Sequence, residues 1–492
     1  MCHLRRYLGG VSVTEGLLDG LNERQRAAVA APGTPLCIRA GAGTGKTRVL
    51  TRRIAHQADI GAIDPKRTLA LTFTRKAADE LRGRLAGLGL RDSVSAGTFH
   101  SAAFAQLRTR WAERGVRPPE ILQNKRGLVA RVANQAGLRL AKADVRDAVT
   151  EIEWAKARRI TPDQYGEAAA SLRRWPALDT TVIVNLFQRY ESEKTKRRVV
   201  DFDDLMILAL RDLTNDPDYA EARRWTYQHV FVDEFQDVNR LQFDLMRAWL
   251  GDRNDLCAVG DPNQAIYSWN GADSDYIERF SDWFAGAEVL DLLDNYRSTP
   301  QILAAGQAVL PRGAASLVSH NLDGPRPSVN THADDFDEAA TIARALRDAK
   351  GPETAWSSMA VLARTNAQTA KLAAALGKSG IPYRVRIDSH RTEGDAGAGP
   401  ADGTDAVDVA TFHGAKGLEW TIVHLAGLEQ GLVPISRAQT PAEIAEEQRL
   451  LYVAITRAER ELHCHWAAER AFGERSAARS PSPYLSAILR AA

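Results

Sequence analysis

The octapeptide Ala40-Gly41-Ala42-Gly43-Thr44-Gly45-Lys46-Thr47 constrains this chain more than any other segment. It follows a short apolar run, Leu36-Cys37-Ile38, and precedes a stretch with helical character. That order reads as strand, phosphate loop, helix. Small residues let backbone N–H groups close around phosphates at a helix N-terminus. Lys46 adds a cation and the Thr47 hydroxyl suits Mg²⁺. Ala40 stands where the minimal pattern has its first glycine, and Arg48 completes the expected nucleotide-contacting set. The ligand this implies is a nucleoside triphosphate held with Mg²⁺.

Length and charge narrow the choice of nucleotide-binding protein. A chain of 492 residues is too long for one core and implies about three or four structural units. Its 64 Lys and Arg against 62 Asp and Glu leave a net charge of +2, so bulk charge does not mark a nucleic-acid partner. Any such surface must come from local clustering of basic residues. Cys2, Cys37, Cys257 and Cys464 lie far apart, with neither zinc-ligand nor disulfide spacing. No apolar stretch reaches secretory or membrane-spanning length, so the expectation is a cytoplasmic protein without a membrane partner, a monomer by default.

Short β-rich runs alternate with helical stretches. Leu36–Arg39, Thr68–Phe73, Val230–Asp233, Leu256–Gly260 and Val289–Leu293 form one set of expected strands. Met359–Arg364, Val407–Phe412, Thr421–Leu425 and Glu461–His465 form another. Near-continuous apolar runs between helices predict two parallel sheets covered on both faces, dividing near Ala285. From about Ala105 to Val199 the pattern is helical and rich in Ala and Arg, which predicts a helical insertion. Its Arg108, Arg110, Arg114, Lys156, Arg158, Arg159, Lys194, Lys196, Arg197 and Arg198 fit either solvated helix faces or a phosphate-contacting surface. The Gly-, Pro- and Asp-rich stretch from Arg391 to Asp405 reads as a loop.

Val230-Phe231-Val232-Asp233-Glu234 sets two acids at the carboxyl end of a buried strand. In a phosphate-loop protein Asp233 would hold Mg²⁺ through its water shell. Glu234 would polarise the attacking water as general base.

Further segments complete an ordered series. Leu21-Asn22-Glu23-Arg24-Gln25 precedes the phosphate loop, and Leu71-Thr72-Phe73-Thr74-Arg75 is followed by Gly97-Thr98-Phe99-His100-Ser101. Then come Val259–Ala272, which contains Gln264, Tyr267 and Trp269, and Asp294-Asn295-Tyr296-Arg297-Ser298. Val409–Glu419, with His413, and Glu446–Ala458, with Arg457, close the set. In this order the motifs resemble those of the UvrD/PcrA/Rep family of superfamily 1 DNA helicases, over about Leu21 to Leu485.

The resemblance implies an α/β protein of two RecA-like parallel-sheet P-loop domains with a helical insertion in the first. Residues 21–105 and 200–285 would form the ATP-binding domain and 106–199 the insertion. Residues 286–492 would form the second domain, after a leader over 1–20 that need not be ordered. Gln25 resembles the adenine-recognising glutamine, Tyr296 the tyrosine stacked on the base and Glu419 the ribose-contacting glutamate. Arg297 and Arg457 resemble arginines that reach the γ-phosphate, and Gln264 the sensor that couples it to DNA. ATP would therefore lie between two domains. Thr72, Phe73, His100, Tyr267, Trp269 and His413 resemble the DNA-contacting positions, although Phe73 fits a core position equally well. Aromatic faces suit sequence-independent binding, since every base has a π-face.

Two departures stand out. Asn270 occupies a place where the family usually carries Arg. The accessory domain 2B, which in the family interrupts the second sheet domain, is replaced by a loop over 386–406. No nuclease motif is visible, which argues against a helicase-nuclease. The expected activity is that of an ATP- and Mg²⁺-dependent motor moving 3′→5′ on single-stranded DNA, separating tailed duplexes in repair or replication. The alternatives are a translocase that strips proteins or relies on an accessory protein to unwind, and a non-hydrolysing, ATP-sensing DNA-binding module. Intact Lys46, Asp233, Glu234 and both arginines speak against the latter.

Overall fold

The structure, a computed structural model, describes residues 13–91, 93–386, 403–472 and 475–491. Contacts divide the chain into two units. The first comprises residues up to Arg39, Thr47–Gly260 and Tyr267–Leu290; the second comprises Ala40–Lys46, Asp261–Ile266 and the chain from Asp291 onward.

The sheet of the first unit has six strands: β1 Leu36–Ala40, β2 Thr68–Thr72, β3 Ser95–Thr98, β4 His229–Val232, β5 Leu256–Gly260 and β6 Glu288–Leu292. Their order is β3-β2-β4-β5-β1-β6, and the first five run parallel. Every residue of β2 and β5 is buried, which is why these strands read as unbroken apolar runs. Helices Phe99–Glu113, Phe202–Asn215 and Arg240–Leu250 supply core side chains on one side, among them Leu107, Leu205, Leu245 and Trp249. Gln106 ties them together, accepting from Trp249 Nε1 at 2.6 Å and donating to Ala209 O at 3.1 Å.

A separate helical core collects Leu128, Val132, Val149, Ile152, Leu186 and Phe187. It is closed at its base by a short parallel pairing of Glu120–Ile121 with Val199–Val200. Position 106 lies within the helix Phe99–Glu113, whose apolar face packs in the core of the sheet. A buried ionic cluster joins the two cores. Lys156 and Lys194 lie 2.7 and 3.1 Å from Asp201 Oδ2, and Tyr190 Oη donates to the same carboxylate. Burial opposes ionisation of Asp201, but Lys156, Lys125 and Lys194 hold its carboxyl well below the usual range.

The second unit carries β7 Ser328–His332, β8 Met359–Ala363, β9 Tyr383–Arg386, β10 Val407–Thr411, β11 Trp420–Ala426 and β12 Ala458–Ala467. The order is β7-β12-β11-β8-β10-β9, parallel throughout. Strands β8 and β10 are buried at every residue.

The structure departs from the sequence expectation in three places. The sheet boundary lies beyond Ala285, because Glu288–Leu292 hydrogen-bonds to the first sheet as its outer strand. Strands β3, β7 and β9 carry no long apolar run, and all three are sheet edges, where one side of the ladder is open and polar residues are tolerated. Within the expected leader, Val13–Leu18 is helical, and Arg52 Nη1 donates to Leu17 O and Asp19 O. Residues 1–12 and 387–402, with most of the expected loop, lie outside the described residues. No described helix is long and apolar enough to cross a membrane.

Candidate nucleotide and nucleic-acid sites

Strand β1 ends at the buried Ala40, and the chain turns through Gly43 and Gly45, both at positive φ, into the helix Lys46–Asp59. A side chain at Gly43 would be strained there and would also meet Asn295 Nδ2 at 2.6 Å. Asn295 Nδ2 donates to Ala42 O at 2.7 Å, and the Tyr296 amide donates to Gly43 O at 2.9 Å. Thr44 Oγ1 donates to Gly41 O at 2.9 Å. The loop is thus shaped by its own hydroxyl and by the segment 295–296, leaving Lys46 at the start of the helix, where an anion is favoured. Arg48, one turn in, donates to Gly20 O at 3.1 Å.

In the first unit, Asp233 follows β4 and is buried. Thr47 Oγ1 donates to Asp233 Oδ2 at 3.2 Å. A hydroxyl and a carboxylate so placed form a hard-oxygen pair that fits Mg²⁺. Glu234 adopts a left-handed backbone, φ 52°, unusual for a residue with a Cβ. Its amide donates to Asp233 Oδ1 at 2.9 Å, and its Oε2 accepts from Gln236 Nε2 at 2.5 Å. Gln236 is fully buried against Gly260, where any side chain would collide with its Oε1. Sequence reasoning gave Gln236 no role; its part in aiming Glu234 emerges only from the turn. Gln25 is buried at a helix start, its Oε1 accepting from the Asn22 amide at 3.1 Å in a reciprocal cap.

In the second unit, Arg297 Nη2 pairs with Glu419 Oε2 at 2.6 Å, so two residues assigned to nucleotide contacts meet each other. Arg457 is buried, with Nε donating to Val453 O at 3.0 Å and Nη1 to Leu418 O at 3.1 Å. Gln264 Nε2 donates to Asp261 Oδ2 at 2.6 Å. The Gln264 backbone O accepts from Lys416 Nζ at 2.8 Å, and Arg449 Nε donates to Ala265 O at 2.9 Å. Lys416 and Arg449 are therefore the grips on this segment, and both lie inside motifs noted in the sequence. Tyr296 is 45% exposed and stacks on His320, ring centroids 5.0 Å apart at 20°. His320 carries no sequence signal of its own.

The expected DNA-contacting positions differ in exposure. Thr72 is buried, and Phe73 packs on the core with its ring 5.8 Å from Phe99. His100 meets Phe202 edge-on at 6.4 Å, and burial holds its pKa below the ordinary value despite nearby Asp203. Tyr267 is buried, 6.2 Å from the ring of the half-buried Trp269. His413 is half-buried on the turn after β10. Among the insertion's basic residues, Lys156 and Lys194 are consumed by the buried cluster, while Arg110 and Arg159 pair with Asp216 and Asp244.

Residues 21–285 match the UvrD/REP helicase N-terminal domain, and residues 290–390 and 395–469 match the UvrD-like helicase C-terminal domain. The chain is 35% identical to a protein named ATP-dependent DNA helicase UvrD2 from Mycobacterium tuberculosis, across 96% of this chain and 82% of that one. That alignment spans 580 positions, more than the 492 residues here, so the relative holds segments that are gaps in this chain. ATP-dependent DNA helicase PcrA of Leuconostoc citreum is 35% identical over 77% of this chain and 51% of its own length. DNA helicase II of Escherichia coli is 33% identical over 75% and 52%.

Proposed function

The chain belongs to the UvrD/REP helicase family, and on that premise we propose that it is an ATP-dependent DNA helicase, a cytoplasmic motor that moves 3′→5′ along single-stranded DNA. The observation that carries the reading is the phosphate loop followed by Thr47 Oγ1 3.2 Å from Asp233 Oδ2, with Glu234 fixed beside them. Thr47 and Asp233 would hold Mg²⁺, which supplies charge neutralisation of the phosphates. Glu234 orients the attacking water and takes its proton, its carboxylate aimed by Gln236. Lys46, Arg297 and Arg457 stabilise the phosphoryl charge that develops during in-line attack, and Tyr296 stacks on the base. Arg297 must leave Glu419 to do so, which frees Glu419 for the ribose. Trp269, Tyr267, Phe73, His100, Thr72 and His413 form the strand-contacting set.

Strand displacement on a 3′-tailed duplex, run beside ATP hydrolysis with and without single-stranded DNA, tests this function. DNA-stimulated hydrolysis with unwinding is expected; hydrolysis indifferent to DNA would overturn it. A second reading, a translocase that unwinds only with a partner, is favoured by one observation. The C-terminal domain match breaks between residues 390 and 395, within the stretch 386–406 expected from the sequence to stand in place of 2B. Stimulated hydrolysis without unwinding would select it.

A further inference from the structure

Trp175 is 87% exposed, on a loop of the helical insertion that begins with the half-exposed Leu172. Tryptophan is strongly buried on average, so a side chain this open is unusual and offers a free aromatic face. Arg173, just before it, is exposed and held in the left-handed region at φ 51°, a conformation that costs a residue with a Cβ. The next residue anchors the loop. Arg174 Nε and Nη2 grip the carboxylate of Glu151 at 2.7 and 2.9 Å, and its guanidinium lies 4.3 Å over the Trp154 ring. Arg174 Nη2 also donates to Trp269 O at 3.3 Å. One arginine thus ties the Trp175 loop to the backbone of the aromatic residue assigned to DNA stacking.

We propose that Trp175 and Arg173 form a second stacking and phosphate contact for single-stranded DNA, continuing the strand path from Trp269 onto the insertion. The inference rests on the DNA-motor reading above. An exposed indole two residues from an exposed arginine supplies what sequence-independent single-strand binders use: a π-face for the base and a charge for the backbone. A duplex keeps its base faces stacked on one another, so the fitting partner is an unpaired strand. The rigid Arg174 anchor means that the platform is set before DNA arrives.

Fluorescence anisotropy with a labelled oligo(dT), using the full chain, tests the idea in Trp175→Ala, Trp175→Phe, Arg173→Ala and Trp269→Ala. Trp175→Ala is expected to weaken binding by about 5- to 150-fold, the worth of one stacked base. Trp175→Phe should restore most of the loss, and Arg173→Ala should reduce the salt dependence. Photocross-linking to oligo(dT) containing 5-iodouracil should label Trp175. If Trp269→Ala weakens binding while Trp175→Ala does not, this inference falls and the motor reading stands. If neither substitution matters, the DNA path itself is misassigned. Loss of self-association in Trp175→Ala with DNA affinity intact would make the loop a protein-docking face and overturn the proposal.

Discussion

Thr47 Oγ1 donates a 3.2 Å hydrogen bond to Asp233 Oδ2, although the two residues stand 186 positions apart in the chain. The phosphate-loop helix and the end of β4 bring them together. Asp233→Asn keeps the shape but removes the charge. The half-saturating Mg²⁺ concentration for hydrolysis should rise by about 10- to 100-fold, as for other outer-shell carboxylates. An Mg²⁺ titration of the variant checks this; an unchanged midpoint would remove Asp233 from the metal site.

Glu234 is positioned by its left-handed backbone and by Gln236. Glu234→Gln should retain ATP binding and lose turnover by about 10²- to 10⁴-fold, the usual contribution of a general base. Gln236→Leu should lower kcat without raising KM, since it releases the carboxylate and leaves the phosphate loop intact. Steady-state kinetics of both variants test the assignment, and near-normal turnover in Glu234→Gln would sink it.

His320 backs the ring of Tyr296, and its Nε2 lies 2.7 Å from Asp294 Oδ1. A stacked ring pair contributes about 0.5–1.5 kcal/mol beyond burial, so His320→Ala should raise the KM for ATP by about 2- to 10-fold. His320→Phe should recover most of it, because stacking, not the polar contact with Asp294, presents Tyr296 to the base.

His332, His465 and His424 form a buried hydrogen-bonded chain across three strands, with both links at 3.0 Å. Burial drives the pKa of His465 from 6.5 down to about 3 and holds that of His424 well below its ordinary value. The folded chain refuses protons that the unfolded chain accepts. The contribution of His465 to stability is therefore fully present above pH 6.5 and declines as pH falls toward about 3, by about 1.4 kcal/mol per pH unit. Urea midpoints of the protein and of His465→Gln at pH 7.5, 6 and 5 check the sign: the gap between them should change with pH, and a constant gap would refute it.

Asp201 and Asp204 together neutralise Lys156 and Lys194 where both lysines are almost fully buried. Asp201→Asn leaves two buried cations sharing the Asp204 carboxylate and should cost about 3–5 kcal/mol. Chemical denaturation measures it. Substituting the exposed Asp282 should change little.

Much of the fold was written in the chain. Strands β2, β5, β8 and β10 are buried on both faces, so their apolar runs announce themselves. The edge strands β3, β7 and β9 did not, because an open ladder side leaves polar residues such as Ser95 and Asn330 unpenalised, while the buried Arg384 of β9 is paired with Asp408. Charge in the insertion misled in part. Lys156 looks like a surface cation by sequence and proves to be a buried one, because its acids come from residues 201–204, well beyond its own helix.

By itself the sequence determined that a strand ends in a phosphate loop at Gly41–Thr47 and that two acids follow β4, because both are local patterns of backbone and charge. It also carried the ordered motifs from which family membership could be read. Tertiary structure alone decided that Gln236 aims Glu234, that His320 supports Tyr296, and that Arg297 is held by Glu419. It also placed Arg174 on the Trp269 carbonyl. These relationships join side chains through turns and distant elements, and side-chain contacts over a few ångströms leave no periodicity or spacing in the chain that makes them.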